Sequence, residues 1–189
     1  MLFSQEELKD IVISVLIVAF IFCRALTNCL DISLYALFLV FVILSFLFHE
    51  LAHRFVSQKL GCSAVYKMFL PGLLLGIVFA VLFRLIIVMP GAVVIYPFKF
   101  GRWKFKVSRL TVRDMGVISF AGIAVNLFFA ILFRQFPGDI FYLFSTINAW
   151  LAFFNLIPIK PLDGSKIFLW KPYFWFILIV IAGVLLFLF

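Results

Sequence analysis

"SFLFHELAHRF", residues 45–55, contains both histidines of the chain, His49 and His53, with Glu50 beside the first. Four helical steps of about 100° bring a residue back to the same face, so this spacing predicts that both imidazoles lie side by side on one helix. The residues before His49 are apolar, and the helix is predicted to continue to Gly61, which favours a helix end. Ionisable side chains in an apolar helix are costly unless they have partners, which indicates a functional site.

The composition around this stretch is that of a membrane protein. Of the 189 residues, 67% are hydrophobic, 28 are phenylalanine, and the mean hydropathy is +1.27. A soluble domain is nearer half apolar, so this surplus has to face lipid. The net charge of +8 comes from residues that flank the apolar runs, which favours contact with lipid headgroups and excludes nucleic acid as the expected partner.

The chain is predicted to be an all-α polytopic membrane protein of one domain, residues 1–189, with a catalytic core at about 32–164. A helix needs about 20 residues to cross the hydrocarbon core, and the sequence predicts about five to six transmembrane helices. The N-terminus is acidic, unlike that of a cleavable signal peptide, so the first run is expected to be retained. The apolar runs are 11–26, 32–48, 69–89, 115–136, 140–158 and 173–189.

A different pattern occupies residues 91–113, where aromatic and β-branched residues alternate with basic ones around Gly101. This alternation predicts a small β-hairpin at the membrane surface, with Lys104 and Lys106 near anionic headgroups. A nucleic-acid stacking patch has a similar composition, but the membrane setting disfavours it.

The charges also predict an orientation. Basic residues cluster at 54–67, 99–113 and 160–171, and the positive-inside rule assigns all three segments to the cytoplasm. Hydropathy alone would make run 69–89 a full span. A single crossing there would put the second basic cluster, at 99–113, outside the cell. We therefore expect run 69–89 to dip into the membrane and return, so that the protein is a multi-pass cell-membrane protein with its site toward the cytoplasmic side.

The HELAH stretch has the H-E-x-x-H pattern, in which two histidines hold Zn²⁺ and the glutamate acts as general base. Catalytic zinc sites use three protein ligands and keep one position for water, and with no third histidine the third ligand must be a carboxylate or a thiolate. Asp163, in the stretch NLIPIKPLDG, is the predicted ligand, with Pro158 and Pro161 breaking the helix and Gly164 permitting a turn. The other acids are expected before the first run, in external loops or at the surface: Glu6, Glu7, Asp10, Asp31, Asp114 and Asp139.

The cysteines, Cys23, Cys29 and Cys62, are odd in number and widely spaced. They are expected to be small buried hydrophobic residues, because their spacing implies no disulfide framework.

Two motifs together resemble the site-2 protease family of intramembrane zinc metalloproteases: HELAH at 49–53, and the N-x-x-P-x-x-x-L-D-G pattern at 155–164. The stretch SFAGIAVNLFFA resembles a third family segment, with Gly122 and Asn126 matching and Ile123 in place of proline. The resemblance covers about 32–164 and implies a three-helix core, a Zn²⁺ cofactor and transmembrane protein substrates. No PDZ or CBS module accompanies it in this chain.

Each candidate residue has an expected role in such a site. His49, His53 and Asp163 are the expected zinc ligands, and Glu50 is the expected catalytic base. Asn155, and by resemblance Asn126, are candidates for substrate binding. Asn155 could instead bond to the helix carbonyls that Pro158 frees. The stretch GAVVIYP is an expected edge strand for an extended substrate.

Three alternatives remain open. Another kind of membrane zincin would use H-E-x-x-H without the second motif. A divalent-metal transporter would need polar groups at several depths, whereas this chain concentrates them at one. An inactive scaffold would have no need of the intact Glu50.

Overall fold

The computed structural model describes residues 4–27, 29, 31–96, 98–100, 105–107 and 110–187. This part of the chain is mostly helical, with four short strands. The helices are α1 (Gln5–Leu26), α2 (Ile32–Lys59), α3 (Leu70–Phe83), α4 (Val112–Arg134), α5 (Asp139–Asn155), α6 (Asp163–Trp170) and α7 (Pro172–Phe187). The strands are β1 (Ser63–Met68), β2 (Gly91–Tyr96), β3 (Phe98–Phe100) and β4 (Phe105–Val107).

Helix α2 carries the HELAH stretch in its last three turns. Asp31 caps its N-terminus by accepting a hydrogen bond from the Ser33 amide, at 2.8 Å. The helix ends at Lys59, and Gly61 follows with φ of +78°, in the left-handed region that glycine adopts without strain. The helix thus continues through the HELAH stretch as predicted and ends two residues before Gly61.

Within the described residues, α2 and α4 are the two helices that are long and apolar enough to cross a membrane, judged by length and composition. The apolar helices α3 and α7 are shorter, with 14 and 16 residues. Helix α5 has 17 residues, and α1 has charged residues in its first turns. The helical fold class is therefore confirmed. Two of the described helices are long and apolar enough to cross a membrane, whereas the sequence predicted five to six such helices.

The predicted hairpin at 91–113 is wrong in its extent. Strand β2 pairs antiparallel with β1, in a register that joins Met68 to Gly91 and Ser63 to Tyr96. The hairpin itself is confined to β3 and β4, which pair antiparallel. Gly101 and Lys104 lie outside the described residues. The alternating pattern did identify β2 as a strand, but its partner β1 comes before α3 in the chain.

The segment between β1 and β2 leaves the sheet and returns to it at the same place. The Phe69 amide donates to the Pro90 carbonyl at 2.8 Å, directly beyond the Met68–Gly91 pair. Helix α3 carries the chain away, Arg84 reverses it with φ of +55°, and residues 85–90 return without helix or strand. Residues 69–90 therefore form an out-and-back excursion.

Glycines on α3 allow the returning segment to pack directly against the helix. A Cβ on Gly72 would collide with the carbonyl oxygen of Met89, and a Cβ on Gly76 would lie 2.5 Å from the carbonyl oxygen of Ile87. The Cβ on Gly76 would also lie 2.6 Å from Ile21 Cδ1 of α1. Side chains of any size at these two positions would push the returning segment away from α3.

The expectation of unpaired cysteines is wrong for two of the three. Cys23, near the end of α1, forms a disulfide with Cys29, their Cα atoms being 5.3 Å apart. Thr27 ends the helix by donating its hydroxyl to the Cys23 carbonyl, and Cys29 adopts a left-handed φ of +49°, so the chain folds back toward the helix. Cys62 is a buried free thiol, as expected.

We predict that Gly76→Ala lowers the melting temperature of the purified protein. Alanine normally stabilises a helix by about 0.5–1 kcal/mol relative to glycine, but the forced contact with Ile87 costs about 1–3 kcal/mol. Thermal unfolding in detergent, followed by tryptophan fluorescence, measures the difference. Gly183→Ala in α7 is the control, because its Cβ would meet one atom, at an ordinary 3.9 Å. Equal melting temperatures for the two variants would contradict the close packing of Gly76 against the Ile87 carbonyl.

Candidate metal centre

Three buried side chains converge at the centre of the helical bundle. His49 and His53 come from α2, and Asp163 is the first residue of α6. The two Nε2 atoms are 2.9 Å apart, and Asp163 Oδ2 lies 3.4 Å from His49 Nε2 and 2.9 Å from His53 Nε2. The structure thus brings together the three predicted ligands, although Asp163 follows His53 by 110 residues in the chain.

These distances fit a tetrahedral metal ion. Ligand atoms about 2.0–2.1 Å from a tetrahedral Zn²⁺ lie about 3.3–3.4 Å from one another, close to the spacings of 2.9–3.4 Å among the three atoms. Two imidazoles and one carboxylate are a zinc-type donor set that leaves a fourth position open. The group formed by His49, His53 and Asp163 could therefore hold a metal ion.

Helix α4 orients both imidazole rings through contacts with their Nδ1 atoms. His53 Nδ1 lies 2.7 Å from the carbonyl oxygen of Ile118, and because a carbonyl can only accept, this nitrogen is the donor. His49 Nδ1 lies 3.1 Å from Asn126 Oδ1. With Nδ1 of each ring directed at α4, the Nε2 atoms face the centre with their lone pairs, as metal-binding histidines require.

Asp163 is held by a lysine that sequence reasoning did not identify. Lys166 Nζ lies 3.2 Å from Asp163 Oδ1, which leaves Oδ2 to face the imidazoles. The neighbouring ammonium group of Lys166 favours the ionised form of the carboxylate, which is the form that binds a metal. The three-residue spacing on a helix was the signal that could have revealed this pair.

Two glycines make room for the centre. A Cβ on Gly122 of α4 would lie 2.5 Å from His53 Nε2 and 2.7 Å from His49 Cε1. A Cβ on Gly164 would collide with the Leu156 carbonyl at the end of α5. Gly164 was predicted to allow a turn, but it lies inside α6, where its lack of a side chain permits close packing instead.

Glu50 is buried beside the three ligands, with 7% of its surface exposed. Its Oε2 atom has no hydrogen-bond partner among the described residues. It lines a cavity of about 10 Å³ together with the three ligand side chains, about the room that one water molecule needs. A carboxylate that faces a water-sized cavity next to a metal site is placed to exchange protons there.

The two asparagines predicted to bind substrate both line this cavity. Asn126 is fully buried; its Oδ1 faces His49, and its Nδ2 has no hydrogen-bond partner among the described residues. Asn155 donates through Nδ2 to the Leu151 carbonyl one turn earlier in α5, at 2.9 Å. One amide proton of Asn155 is thus used within its own helix, but not on a carbonyl that Pro158 frees, since a proline frees the carbonyl four residues before it.

No family model and no solved structure matches this chain. A protein of Methanocaldococcus jannaschii named "Putative zinc metalloprotease" is 36% identical to it over 182 residues. The match covers 92% of this chain and 88% of the relative. This chain belongs to the same family. The name of the relative and the donor set of His49, His53 and Asp163 agree on Zn²⁺ as the metal of this family.

We predict that Gly122→Ala weakens zinc binding about tenfold, the lower end of the effects seen when groups around metal ligands are changed. The added methyl would displace the ring of His53, although no ligand is replaced. The measurement is the zinc content of purified protein, by mass spectrometry, after equilibration at buffered free zinc. Gly183→Ala serves as the control. Wild-type affinity in the Gly122→Ala protein would show that the centre tolerates a wider spacing between α2 and α4.

Proposed function

We propose that this protein is an intramembrane zinc metalloprotease of the site-2 protease type. It would hydrolyse peptide bonds within or near the transmembrane segments of membrane protein substrates, as in regulated intramembrane proteolysis. The observation that carries the proposal is the convergence of His49, His53 and Asp163 beside Glu50 on α2, a helix long and apolar enough to cross a membrane. A site that acts on bonds inside the membrane has to lie there itself.

Peptide-bond hydrolysis would need both the metal ion and Glu50. Zn²⁺, when bound, supplies Lewis acidity that activates water and polarises a carbonyl group. Glu50 accepts a proton from the water through its free Oε2 and later delivers that proton to the leaving amine. Asn126 Nδ2 is available to donate to a substrate carbonyl in the same cavity.

The substrate would be bound as an extended segment along β2. A transmembrane helix uses its peptide groups internally and must unwind before a bond can be attacked. Residues Gly91–Val93 of β2 line the same cavity as Glu50. An unwound segment that pairs with β2 recovers its hydrogen bonds by strand addition.

We further propose a multi-pass arrangement in the cell membrane with α1, α2, α4, α5 and α7 as crossings and the site toward the cytoplasmic side. The excursion at 69–90, which begins and ends at the same sheet, supports a dip without net crossing. The Cys23–Cys29 disulfide lies at the opposite end of α1 and α2 from Lys59. Disulfides persist in oxidising compartments, so its position supports an external location for that end.

We predict that Glu50→Gln keeps stoichiometric zinc but lowers cleavage of a single-span substrate at least about 100-fold, because general acid–base catalysis contributes about 10²–10⁴-fold. His49→Ala and Asp163→Ala are expected to lose both zinc and cleavage. Zinc content and product formation are measured on the same preparations in lipid vesicles. Undiminished turnover by the Glu50→Gln protein would exclude Glu50 as the base.

The orientation can be tested by cysteine labelling in intact cells. In a Cys62→Ala background we expect an impermeant maleimide added outside to label Asp139→Cys, at the start of α5. Lys59→Cys, at the end of α2, should label after the membrane is opened. Both positions are exposed on the protein surface, so they form a matched pair. Labelling of Lys59→Cys from outside would reverse the orientation.

A further inference from the structure

Side chains from two helices occupy the outer edge of β1. The Tyr66 amide donates to Glu7 Oε1 at 2.9 Å, and the Met68 amide donates to Asp10 Oδ2 at 3.2 Å. The Ala64 carbonyl accepts from Arg54 Nη2 at 3.0 Å. All three main-chain groups point away from β2, since alternate residues of a strand direct their hydrogen-bonding groups to opposite sides.

The register of β1 and β2 shows which residues form the opposite edge of the sheet, on β2. Tyr66 is opposite Val93, and Met68 is opposite Gly91. In an antiparallel pair, two opposed residues both direct their main-chain groups outward when one of them does. Gly91 and Val93 therefore present theirs on the far side of β2, and both residues line the cavity of the metal centre.

Glu7 also joins this edge to the helix of the metal ligands. Its Oε1 atom lies 2.5 Å from Arg54 Nη2, and Arg54 directly follows His53 in α2. Both side chains are buried, at 4% and 9% exposure. Oε2 of Glu7 completes a capping box with Ser4. A buried ion pair stabilises little by itself unless further hydrogen bonds satisfy its atoms, so the use of both Glu7 oxygens indicates a positioning role.

We infer that Glu7, assisted by Asp10, is a positioning residue that takes the place of a third strand on β1. It closes the outer edge of the sheet and holds the opposite edge, formed by Gly91 and Val93 of β2, beside Glu50 and the metal ligands. An extended substrate segment is thereby directed to β2. The inference rests on the proposed function, which supplies the substrate, and adds the residues that decide which edge the substrate can use.

The first experiment is independent of catalysis. Amide hydrogen exchange of the full-length protein in lipid vesicles is followed by mass spectrometry at single-amide resolution. Glu7→Ala should speed exchange of the Tyr66 amide at least tenfold, and Asp10→Ala should do so for the Met68 amide. Glu6→Ala is the matched control, because Glu6 lies in the same turn of α1 but is exposed. Unchanged exchange at Tyr66 would overturn the inference.

The second experiment locates the substrate. A single-span peptide with a photo-reactive residue is cross-linked to the protein in a Glu50→Gln background, which prevents cleavage. Cross-links should fall on residues 91–95 in the parent, and in Glu7→Ala they should extend to residues 63–68. A merely structural role for Glu7 would reduce cross-linking without moving it to β1, and that result would overturn the inference. Asp10→Ala, which leaves the buried ion pair intact, gives the same comparison if Glu7→Ala fails to fold.

The two proposals fail in different ways. A wild-type protein that neither cleaves nor cross-links to such peptides would reject the proposed function, and with it the substrate part of this inference. Exchange at Tyr66 and Met68 would still decide whether the α1 carboxylates hold β1.

Discussion

Two imidazoles and a carboxylate lie together inside an apolar helical bundle, and each must have a partner because burying an unsatisfied polar group costs several kcal/mol. His53 bonds to the Ile118 carbonyl, His49 contacts Asn126, and Asp163 pairs with Lys166. The first two contacts join α4 to α2, and the contacts of Asp163 Oδ2 with both imidazoles join α6 to α2. The need to satisfy this cluster therefore constrains how α2, α4 and α6 pack against one another.

Glycine makes such close packing possible. Gly122 lets α4 approach the two imidazoles, and Gly164 lets α6 approach the end of α5, which brings Asp163 to the cluster. On the other side of the bundle, Gly72 and Gly76 let the segment returning from α3 lie against that helix. Small residues serve this purpose in membrane proteins because lipid offers no hydrophobic driving force between helices and association depends on close contact.

The small sheet connects the metal centre to the N-terminal helix. The β2 edge of the sheet, at Gly91 and Val93, lies along the cavity. The outer edge, on β1, donates hydrogen bonds to Glu7 and Asp10 of α1. A two-stranded sheet is at best marginally stable alone, so packing and hydrogen bonds from α1 and α2 have to stabilise it. The geometry of β2 beside the metal ligands thus depends on Glu7 and Asp10, which precede Gly91 by 84 and 81 positions in the chain.

The sequence by itself determined the metal-ligand set and the helical class. The four-residue spacing of His49 and His53 is a local helical property, and few carboxylates were left to complete the site beside them. Tertiary structure alone decided the pairing of β1 with β2, the Cys23–Cys29 disulfide and the Glu7–Arg54 ion pair. The physical reason is that periodicity reports which face of an element is apolar, whereas the partner of a strand edge or a charge depends on how elements distant in the chain pack together.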